Sequence, residues 1–268
     1  MKNKVVVLNM LQPYSMRGKI MNKRIKNILW LLFVIIDIIL IGIFAYKIFS
    51  SVKEYDEISE MDLQVQEEFV EEKNKENGKE SNKERKIDWN KLKNTNEDIV
   101  AWIKIPNTNI DYPIVQGNDN LEYISKNLYG RKSKAGCLFV DSNTISPFES
   151  NNTIIYGHNL NNGSMFSNIK KYKNKNYAKN HKEIDILLPD GRKLKYEVFA
   201  FYKIKANNYD IYDTDVENLA EYYSTIQKYN NLEMNYDLSK AILTLSTCTN
   251  GNKNNRYILQ AYLTEKVN

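Results

Sequence analysis

The sequence predicts a mainly β protein whose strands close into a barrel or a sandwich. About eight short runs rich in apolar and β-branched residues follow residue 88, and turn residues separate them. That part of the chain contains one long stretch with helical spacing, at residues 213–229. With 268 residues, of which 42% are hydrophobic, the chain can bury one sizeable core. Many strands with few helices indicate a β-barrel or a closed sandwich.

The N-terminal part is predicted to anchor the chain in a membrane. Residues 1–27 carry seven basic side chains and no acidic one, and residues 28–49 are apolar except for Asp37 and Lys47. A run of about 20 apolar residues can cross a bilayer, and basic flanks stay in the cytoplasm. We therefore expect a cytoplasmic segment at 1–27, a transmembrane anchor at 28–49 and a single-pass cell-membrane protein with the rest of the chain outside. A cleaved signal peptide is the alternative, but the run exceeds the usual core of about 7–15 residues and no A-x-A-like site follows it.

A strongly charged segment with many glutamates occupies residues 50–87. It is expected to be helical up to about Glu72 and flexible through residues 73–84. Such charge runs usually repel themselves and extend, so we interpret the segment as a solvated stalk or helical linker ahead of a domain at 88–268. A specific docking helix is the alternative interpretation.

Six strand-like runs precede the long helical stretch. Pro106 and Asn107 separate the first two runs, which predicts a hairpin. The turn sequence PDGR, at residues 189–192, joins the last two. A short helix is expected at residues 165–172. The six runs cover residues 99–105, 109–116, 136–141, 153–156, 184–188 and 193–205.

The stretch at 213–229 is predicted to be an amphipathic helix inserted before the final strands. Asp213 or Asp215 can cap its first turn. Apolar residues recur on one face at helical spacing, which indicates that this face is buried. They are Val216, Leu219, Tyr223 and Ile226.

The last two runs, residues 241–245 and 257–263, flank a polar seven-residue loop at 249–255 and are expected to form an antiparallel hairpin. In a hairpin the end of the first strand lies beside the start of the second, so Cys248 and Arg256 should meet at one edge of the sheet. A cation beside a cysteine favours the thiolate, and its donors can bind an oxyanion formed when that thiolate attacks a carbonyl.

These residues carry a resemblance to a known family. LTLSTC at 243–248, Arg256 eight residues after the cysteine and YGHN at 156–159 resemble the active-site strand, arginine and histidine motifs of sortases, the cysteine transpeptidases of Gram-positive cell surfaces. The resemblance covers roughly residues 88–264 and implies the eight-stranded sortase β-barrel. An N-terminal helical segment and a helix inserted before the last two strands are similar to class B sortases.

The chain has two histidines, His158 and His181. His158 follows a strand end on a loop, where catalytic groups are commonly held. Taken alone, a loop histidine is more often a surface residue, but the match at YGHN implies that His158 is catalytic. His181 lies in a polar stretch without catalytic context and is expected at the surface.

The second cysteine, Cys137, lies inside the strand-like run GCLFVD. A free cysteine in such a run usually behaves as a small buried hydrophobe. A disulfide between Cys137 and Cys248 is the alternative in an extracellular protein, and it would silence the nucleophile.

Two residues, Ser246 and Tyr209, are candidates for contact with the substrate. Strand alternation puts Ser246 on the face of Cys248, where it can contact substrate, whereas Thr247 should pack away. The resemblance makes Tyr209 a candidate for the substrate groove, with a packing aromatic as the alternative.

The sequence predicts no cofactor, no metal and no nucleic-acid partner. Two histidines and two cysteines at distant positions lack zinc-ligand spacing, and neither an EF-hand nor a phosphate loop is present. The one concentrated basic region is the N-terminal segment rather than the folded part, and no nucleic-acid-binding motif appears.

The resemblance implies a two-step acyl transfer. Cys248 would attack the carbonyl after a threonine in the C-terminal sorting signal of a surface protein, and His158 would protonate the leaving amine. Arg256 would stabilise the oxyanion or hold substrate carbonyls, and a peptidoglycan precursor or cross-bridge amine would resolve the thioacyl enzyme. The alternatives are a pilin-polymerising sortase, a cysteine protease with water as acceptor, and a non-catalytic surface binding module.

Overall fold

The computed structural model describes residues 22–74, 83–249 and 252–267. The chain divides into two compact units, Met1–Glu54 and Tyr55–Asn268. Helix α1, Lys23–Phe69, begins in the first unit and ends in the second.

The first unit contains the apolar part of α1. The apolar side chains of residues 28–49 are almost all exposed, with Trp30 at 66% and Phe44 at 65%. Within the described ranges α1 is the one helix long and apolar enough to cross a membrane, by length and composition. This exposed apolar helix is compatible with the expected anchor. Most of the basic segment expected in the cytoplasm, residues 1–21, lies outside the described residues.

The second unit is a closed β-barrel with short helices around it. After a two-stranded hairpin, eight strands form the barrel in the order β10-β8-β7-β3-β4-β5-β6-β9, and β9 pairs with β10 to close it. The elements that follow α1 are β1 (Val70–Asn74), β2 (Lys83–Ile87), α2 (Trp89–Thr95), β3 (Ile99–Lys104), β4 (Asp111–Val115), β5 (Leu138–Val140), β6 (Asn152–Tyr156), α3 (Lys175–Asn180), β7 (Glu183–Leu187), β8 (Lys193–Lys205), α4 (Leu219–Gln227), β9 (Ile242–Thr249) and β10 (Asn252–Val267).

The predicted eight-stranded barrel is therefore confirmed, and the strands occur in the predicted places. Two neighbouring pairs, β4 with β5 and β6 with β9, run parallel, while the other pairs in the barrel are antiparallel. The expected short helix after β6 is a 3₁₀ helix, Phe166–Lys173. The parallel pairing of β6 with β9 brings the end of β6 beside the end of β9.

The strand β9 is buried on both faces. Its inward side chains, such as Leu243 and Leu245, lie in the barrel core, while Ile242 on the outer face belongs to a second buried cluster with Tyr223 and Ile226 of α4. A strand covered on both faces loses the alternation of apolar and polar residues that marks an exposed sheet.

The inserted helix begins later than its sequence predicts. Asn218 caps it, accepting from the N–H of Glu221 at 3.2 Å, so neither Asp213 nor Asp215 is the cap. The side chain of Asn152 donates to the carbonyl oxygen of Asp213 at 2.7 Å. That carbonyl is thus bound to the barrel instead of to a helical N–H.

The charged segment after the anchor is not the solvated spacer that we expected. From Tyr55 onward, α1 packs on the barrel through Ile58, Val65 and Phe69, which are at most 7% exposed. These residues recur at helical spacing and form an apolar stripe among the charged ones. The compact unit accordingly starts at Tyr55 rather than at residue 88.

The part expected to be flexible, residues 73–84, is only partly described. Its ends pair as the antiparallel hairpin of β1 and β2, with Lys73 opposite Glu84. Residues 75–82 lie outside the described residues.

Asp62, on the barrel side of α1, should make the stability depend on pH. Its carboxylate accepts a hydrogen bond from the hydroxyl of Tyr112 at 3.2 Å and faces the thiol of Cys137. Burial raises the pKa of Asp62 to about 6. Because the pKa is higher in the folded than in the unfolded state, the protonated form favours folding. This contribution is complete below about pH 4 and is lost as the pH rises through about 6.

Asp62→Asn should therefore raise the free energy of unfolding at neutral pH by about 1–2 kcal/mol and flatten its pH dependence. Urea unfolding of residues 50–268 at about pH 5 and pH 7.5 measures both effects. Asp56→Asn, at an exposed position of the same helix, is the control and should change little. An unchanged pH dependence in Asp62→Asn would contradict the assignment.

Candidate active site

The hairpin of β9 and β10 places a thiol opposite a guanidinium. Cys248 and Arg256 are directly paired across the two strands, as the hairpin pattern predicts. The loop between them is shorter than expected, because β9 continues to Thr249 and pairs with Asn252 at the start of β10. A register irregularity between Asn252 and Arg256 accommodates the extra residues. Both Cys248 and Arg256 are half-buried.

The parallel neighbour β6 brings His158 to the same end of the barrel. Gly157 donates its N–H to the carbonyl oxygen of Ser246 at 3.2 Å, and its own carbonyl accepts from the hydroxyl of Thr247 at 2.7 Å. Two residues after Gly157, the amide of Asn159 donates to the carbonyl oxygen of Cys248 at 2.9 Å. These bonds align the segment around His158 with the segment that ends in Cys248.

One nitrogen of the His158 imidazole is hydrogen-bonded to the backbone. Its Nε2 lies 2.7 Å from the carbonyl oxygen of Ile124. A carbonyl oxygen only accepts, so Nε2 carries the proton in this arrangement. This hydrogen bond fixes the orientation of the ring at the wall of the cavity.

One cavity of about 490 Å³ is lined by all five residues that the sequence predicts as site residues. Tyr209 is 81% exposed and lies at its rim, so it does not pack in the core. Ser246 is buried and its hydroxyl lies 3.0 Å from that of Tyr212. Thr247 also lines the cavity, whereas alternation along the strand suggested that it would pack away. The five predicted site residues are His158, Tyr209, Ser246, Cys248 and Arg256.

Sequence reasoning missed an aromatic and acidic wall of this cavity. The rings of Phe139 and Tyr156 have centroids 5.3 Å apart, and Tyr156 stacks on Tyr212 at 6.0 Å. The hydroxyl of Tyr156 donates to Asp141 at 2.8 Å, and the amide of Asn120 donates to the same carboxylate at 3.1 Å. Burial raises the pKa of both Tyr156 and Tyr212, so both side chains are neutral phenols at neutral pH. Of these residues only Tyr156 could have been linked to the site from the sequence, because it is the first residue of the YGHN motif.

The model of the sortase domain matches residues 103–264, which is more than half of the chain and includes the cavity and all five predicted residues. The chain belongs to the sortase family. This confirms the resemblance that the motifs indicated.

The chain is similar to sortases B of several bacteria. Sortase B of Listeria monocytogenes is 33% identical over 164 residues, which cover 59% of this chain and 65% of the relative. The crystal structure of Clostridium perfringens sortase B is 32% identical with a TM-score of 0.61, covering 66% of this chain and 99% of that one. A Staphylococcus aureus sortase B–substrate complex is 28% identical with a TM-score of 0.60, covering 66% and 84%. The match thus spans slightly less than two thirds of the curated Listeria relative, and the similarity is to class B.

The other cysteine of this sortase lies outside the cavity. Cys137 and Cys248 are both free thiols, so the alternative of a disulfide between them is wrong. Cys137 is buried under α1, beside Val65, and burial raises the pKa of its thiol to about 12. A thiol with this pKa stays protonated and unreactive at neutral pH.

His181 lies away from the cavity as well. Its ring stacks on that of Tyr177 at 3.9 Å, and Nδ1 lies 2.8 Å from the carbonyl oxygen of Tyr177. In the described ranges of this sortase, no cluster of three or more histidine, cysteine and acidic side chains is suited to hold a metal ion.

Gly157 is required where β6 meets β9. A Cβ at this position would lie 2.4 Å from Leu138 Cδ2 and 2.7 Å from Phe166 Cδ2, and both side chains are fully buried. Gly157→Ala should therefore displace the His158 segment and destabilise the sortase by about 1–3 kcal/mol. A lower thermal midpoint together with reduced turnover is the expected result. An unchanged midpoint would show that the close contact can be relieved without cost.

Proposed function

We propose that this sortase is a membrane-anchored cysteine transpeptidase that cleaves a C-terminal sorting signal after threonine and transfers the protein to a cell-wall amine. The observation that carries the proposal is the pairing of Cys248 with Arg256 across two strands, with His158 on the neighbouring strand end and all three at one cavity. Nucleophile, proton donor and oxyanion donor are the parts that acyl transfer needs.

In the first step the Cys248 thiolate adds to the carbonyl carbon that follows the substrate threonine. The carbonyl oxygen becomes an oxyanion, which the guanidinium of Arg256 stabilises. His158, which starts this step as an imidazolium beside the thiolate, then donates a proton to the leaving amine as the carbon–nitrogen bond breaks. The product is a thioester between Cys248 and the shortened substrate.

In the second step an amine attacks the thioester. His158, now without its proton, accepts one from the attacking nitrogen, and Cys248 leaves as a thiolate. The new bond is an amide. Because Cys248 is again a thiolate and His158 again carries its proton, the enzyme is back in its starting state. The acceptor amine of this proposal is a peptidoglycan precursor or cross-bridge.

The sorting peptide is proposed to lie in the cavity between Tyr209 and the active-site strand. Ser246 points into the cavity from the face of Cys248, and the exposed ring of Tyr209 offers an apolar surface at the rim. The similar Staphylococcus aureus structure is a sortase B–substrate complex, which supports a substrate site in this chain.

The proposed topology follows the order of segments along the chain. Residues 1–27 are cytoplasmic, residues 28–49 span the membrane, and the catalytic domain is extracellular. The linker at 50–87 is rigid in part, because α1 packs on the barrel from Tyr55 onward. The anchor would hold the enzyme at the membrane, where its substrates emerge.

Product analysis tests this proposal. The protein is incubated with a panel of sorting peptides that contain Thr-Gly or Thr-Asn, with and without triglycine, and the products are identified by mass. We expect cleavage after threonine and a product ligated to triglycine. Cleavage without ligation at high amine concentration would instead identify a protease, and no cleavage would favour a binding module. Ligation to a pilin lysine in preference to triglycine would indicate pilus assembly.

Arg256 should matter through its donors as well as its charge. Arg256→Gln is expected to lower kcat/KM for peptide cleavage by about 10²–10³-fold, because the oxyanion loses a charged donor. Arg256→Lys should recover only part of the loss, since an ammonium lacks the planar fork of a guanidinium. Lys203→Gln, an exposed cation on the adjacent β8, is the matched control. Equal effects of Lys203→Gln and Arg256→Gln would mean that general charge, not the placed donor, is responsible.

A further inference from the structure

A tight turn follows His158 and returns the chain to the core. The carbonyl oxygen of His158 accepts from the N–H of Phe166 at 2.9 Å, and Asn159 forms a β-bridge with Met165. His158 thus lies at the base of the turn formed by residues 158–166. Any shift of the Met165 side of this turn is transmitted directly to His158.

The Met165 side of the turn has an unfavourable backbone conformation. Met165 has a φ of 53°, which is uncommon for a residue other than glycine, and its side chain is only 6% exposed. Such a conformation costs free energy and persists only where the surroundings hold it.

A tyrosine hydroxyl holds Met165 in this conformation. The N–H of Met165 donates to the hydroxyl oxygen of Tyr112 at 3.1 Å, and the same hydroxyl donates its proton to Asp62 at 3.2 Å. A phenol has one proton, so its donation to Asp62 orients the lone pair that receives the N–H. Tyr112 is buried in the barrel wall, and Asp62 comes from α1.

A second contact joins the same turn to α1. The amide of Asn162 donates to the hydroxyl of Ser59 at 3.3 Å, one turn of helix before Asp62. From the other side, the amide of Asn109 donates to the carbonyl oxygen of Gly163. The turn therefore lies between α1 and the connection from β3 to β4.

We propose that Asp62 and Tyr112 are positioning residues for the catalytic histidine: the helix that follows the membrane anchor holds the 158–166 turn, and thereby His158, in the arrangement that serves Cys248. The inference rests on the proposed function for the role of His158. Its structural part, that Tyr112 and Asp62 fix the turn, stands on the contacts alone.

Hydrogen exchange tests the structural part without any need for activity. The full chain in detergent is compared with its Tyr112→Phe, Asp62→Ala, Asp62→Asn and Glu68→Gln variants. Tyr112→Phe removes the acceptor of the Met165 N–H, so exchange in residues 158–167 should accelerate by about 10–100-fold. Asp62→Asn keeps an acceptor for the Tyr112 hydroxyl and should resemble the wild type more than Asp62→Ala does. Glu68→Gln changes a contact of the same helix with Tyr129 and should leave the turn unaffected.

Kinetics test the link to His158. In Tyr112→Phe we expect kcat for a sorting peptide to fall by about tenfold with KM changed less than about twofold, because binding survives and proton donation suffers. Acylation by a thioester substrate, whose thiolate leaves without protonation, should slow by less than about threefold when it is measured without an added amine. A merely structural defect would slow both substrates equally.

The outcomes separate the two claims. Unchanged exchange in Tyr112→Phe would overturn the positioning role whatever the activity. Faster exchange with equal losses on the peptide and the thioester would also overturn it, since the turn would then not act through His158. A wild type without turnover would refute the proposed function, while exchange would still decide whether the helix holds the turn.

Discussion

Replacing Cys248 with alanine is expected to abolish peptide cleavage and ligation, with a loss of at least about 10⁴-fold in kcat. No other group in the described part of the cavity is a thiol, and both steps of the proposed reaction pass through the Cys248 thioester. The fold should persist, because the side chain is small and half-buried at the end of β9. Turnover and the thermal midpoint, measured on the same samples, check both statements.

Cys137 provides a matched control for this substitution. Cys137→Ala also removes one thiol, but from a buried position under α1 that does not line the cavity. It should keep turnover within about threefold and lower the stability by about 1 kcal/mol, as expected for a small core truncation. Loss of turnover in Cys137→Ala with retention in Cys248→Ala would reverse the assignment of the nucleophile.

Replacing His158 with alanine is expected to lower kcat for sorting peptides by about 10²–10⁴-fold. The leaving amine then has no positioned proton donor. Alkylation of Cys248 by iodoacetamide should still occur, because the thiol remains in the open cavity. A thioester substrate should recover much of the rate of acylation, measured without an added amine, since its leaving group needs no proton.

The second histidine is the control for this experiment. His181→Gln changes a ring that stacks on Tyr177 outside the cavity and should leave turnover within about twofold of the wild type. If His158→Ala lost the same factor on peptide and thioester substrates, the role of His158 as the proton donor would be wrong.

Most of the barrel could be predicted from local sequence. Short β-branched runs and turn residues such as PDGR determine where strands begin and end, and all eight barrel strands occur where these signals lie. Boundaries that depend on distant partners could not be predicted in this way. The start of α4 is an example, because Asn152 from β6 binds the carbonyl of Asp213.

The sequence contains an apolar pattern that indicates the packing of α1 on the barrel, but the many charged residues around it obscure that pattern. Ile58, Val65 and Phe69 lie at helical spacing, yet the many glutamates between them made the segment look like a spacer. Which face of a charged helix is buried depends on the surface that meets it, and a single sequence does not show that surface.

The site was also only partly predictable, because some of its residues meet through local pairing and others through contacts between distant segments. The opposition of Cys248 and Arg256 follows from hairpin pairing, since only local geometry is needed. His158 required the resemblance, because a parallel neighbour of β9 cannot be recognised from local pattern. Tyr212 and Asp141 reach the cavity from separate loops, and nothing in their own sequence context indicates that they meet.

The most direct test of the proposed chemistry is intact-mass analysis of the protein mixed with sorting peptides in the absence of an added amine. We predict an adduct with the mass of the peptide up to its threonine, located on Cys248 by digestion and absent in Cys248→Ala. Addition of triglycine should discharge it with release of the ligated peptide. An adduct on any other residue, or turnover without an adduct on Cys248 under rapid quenching, would contradict the thioacyl mechanism.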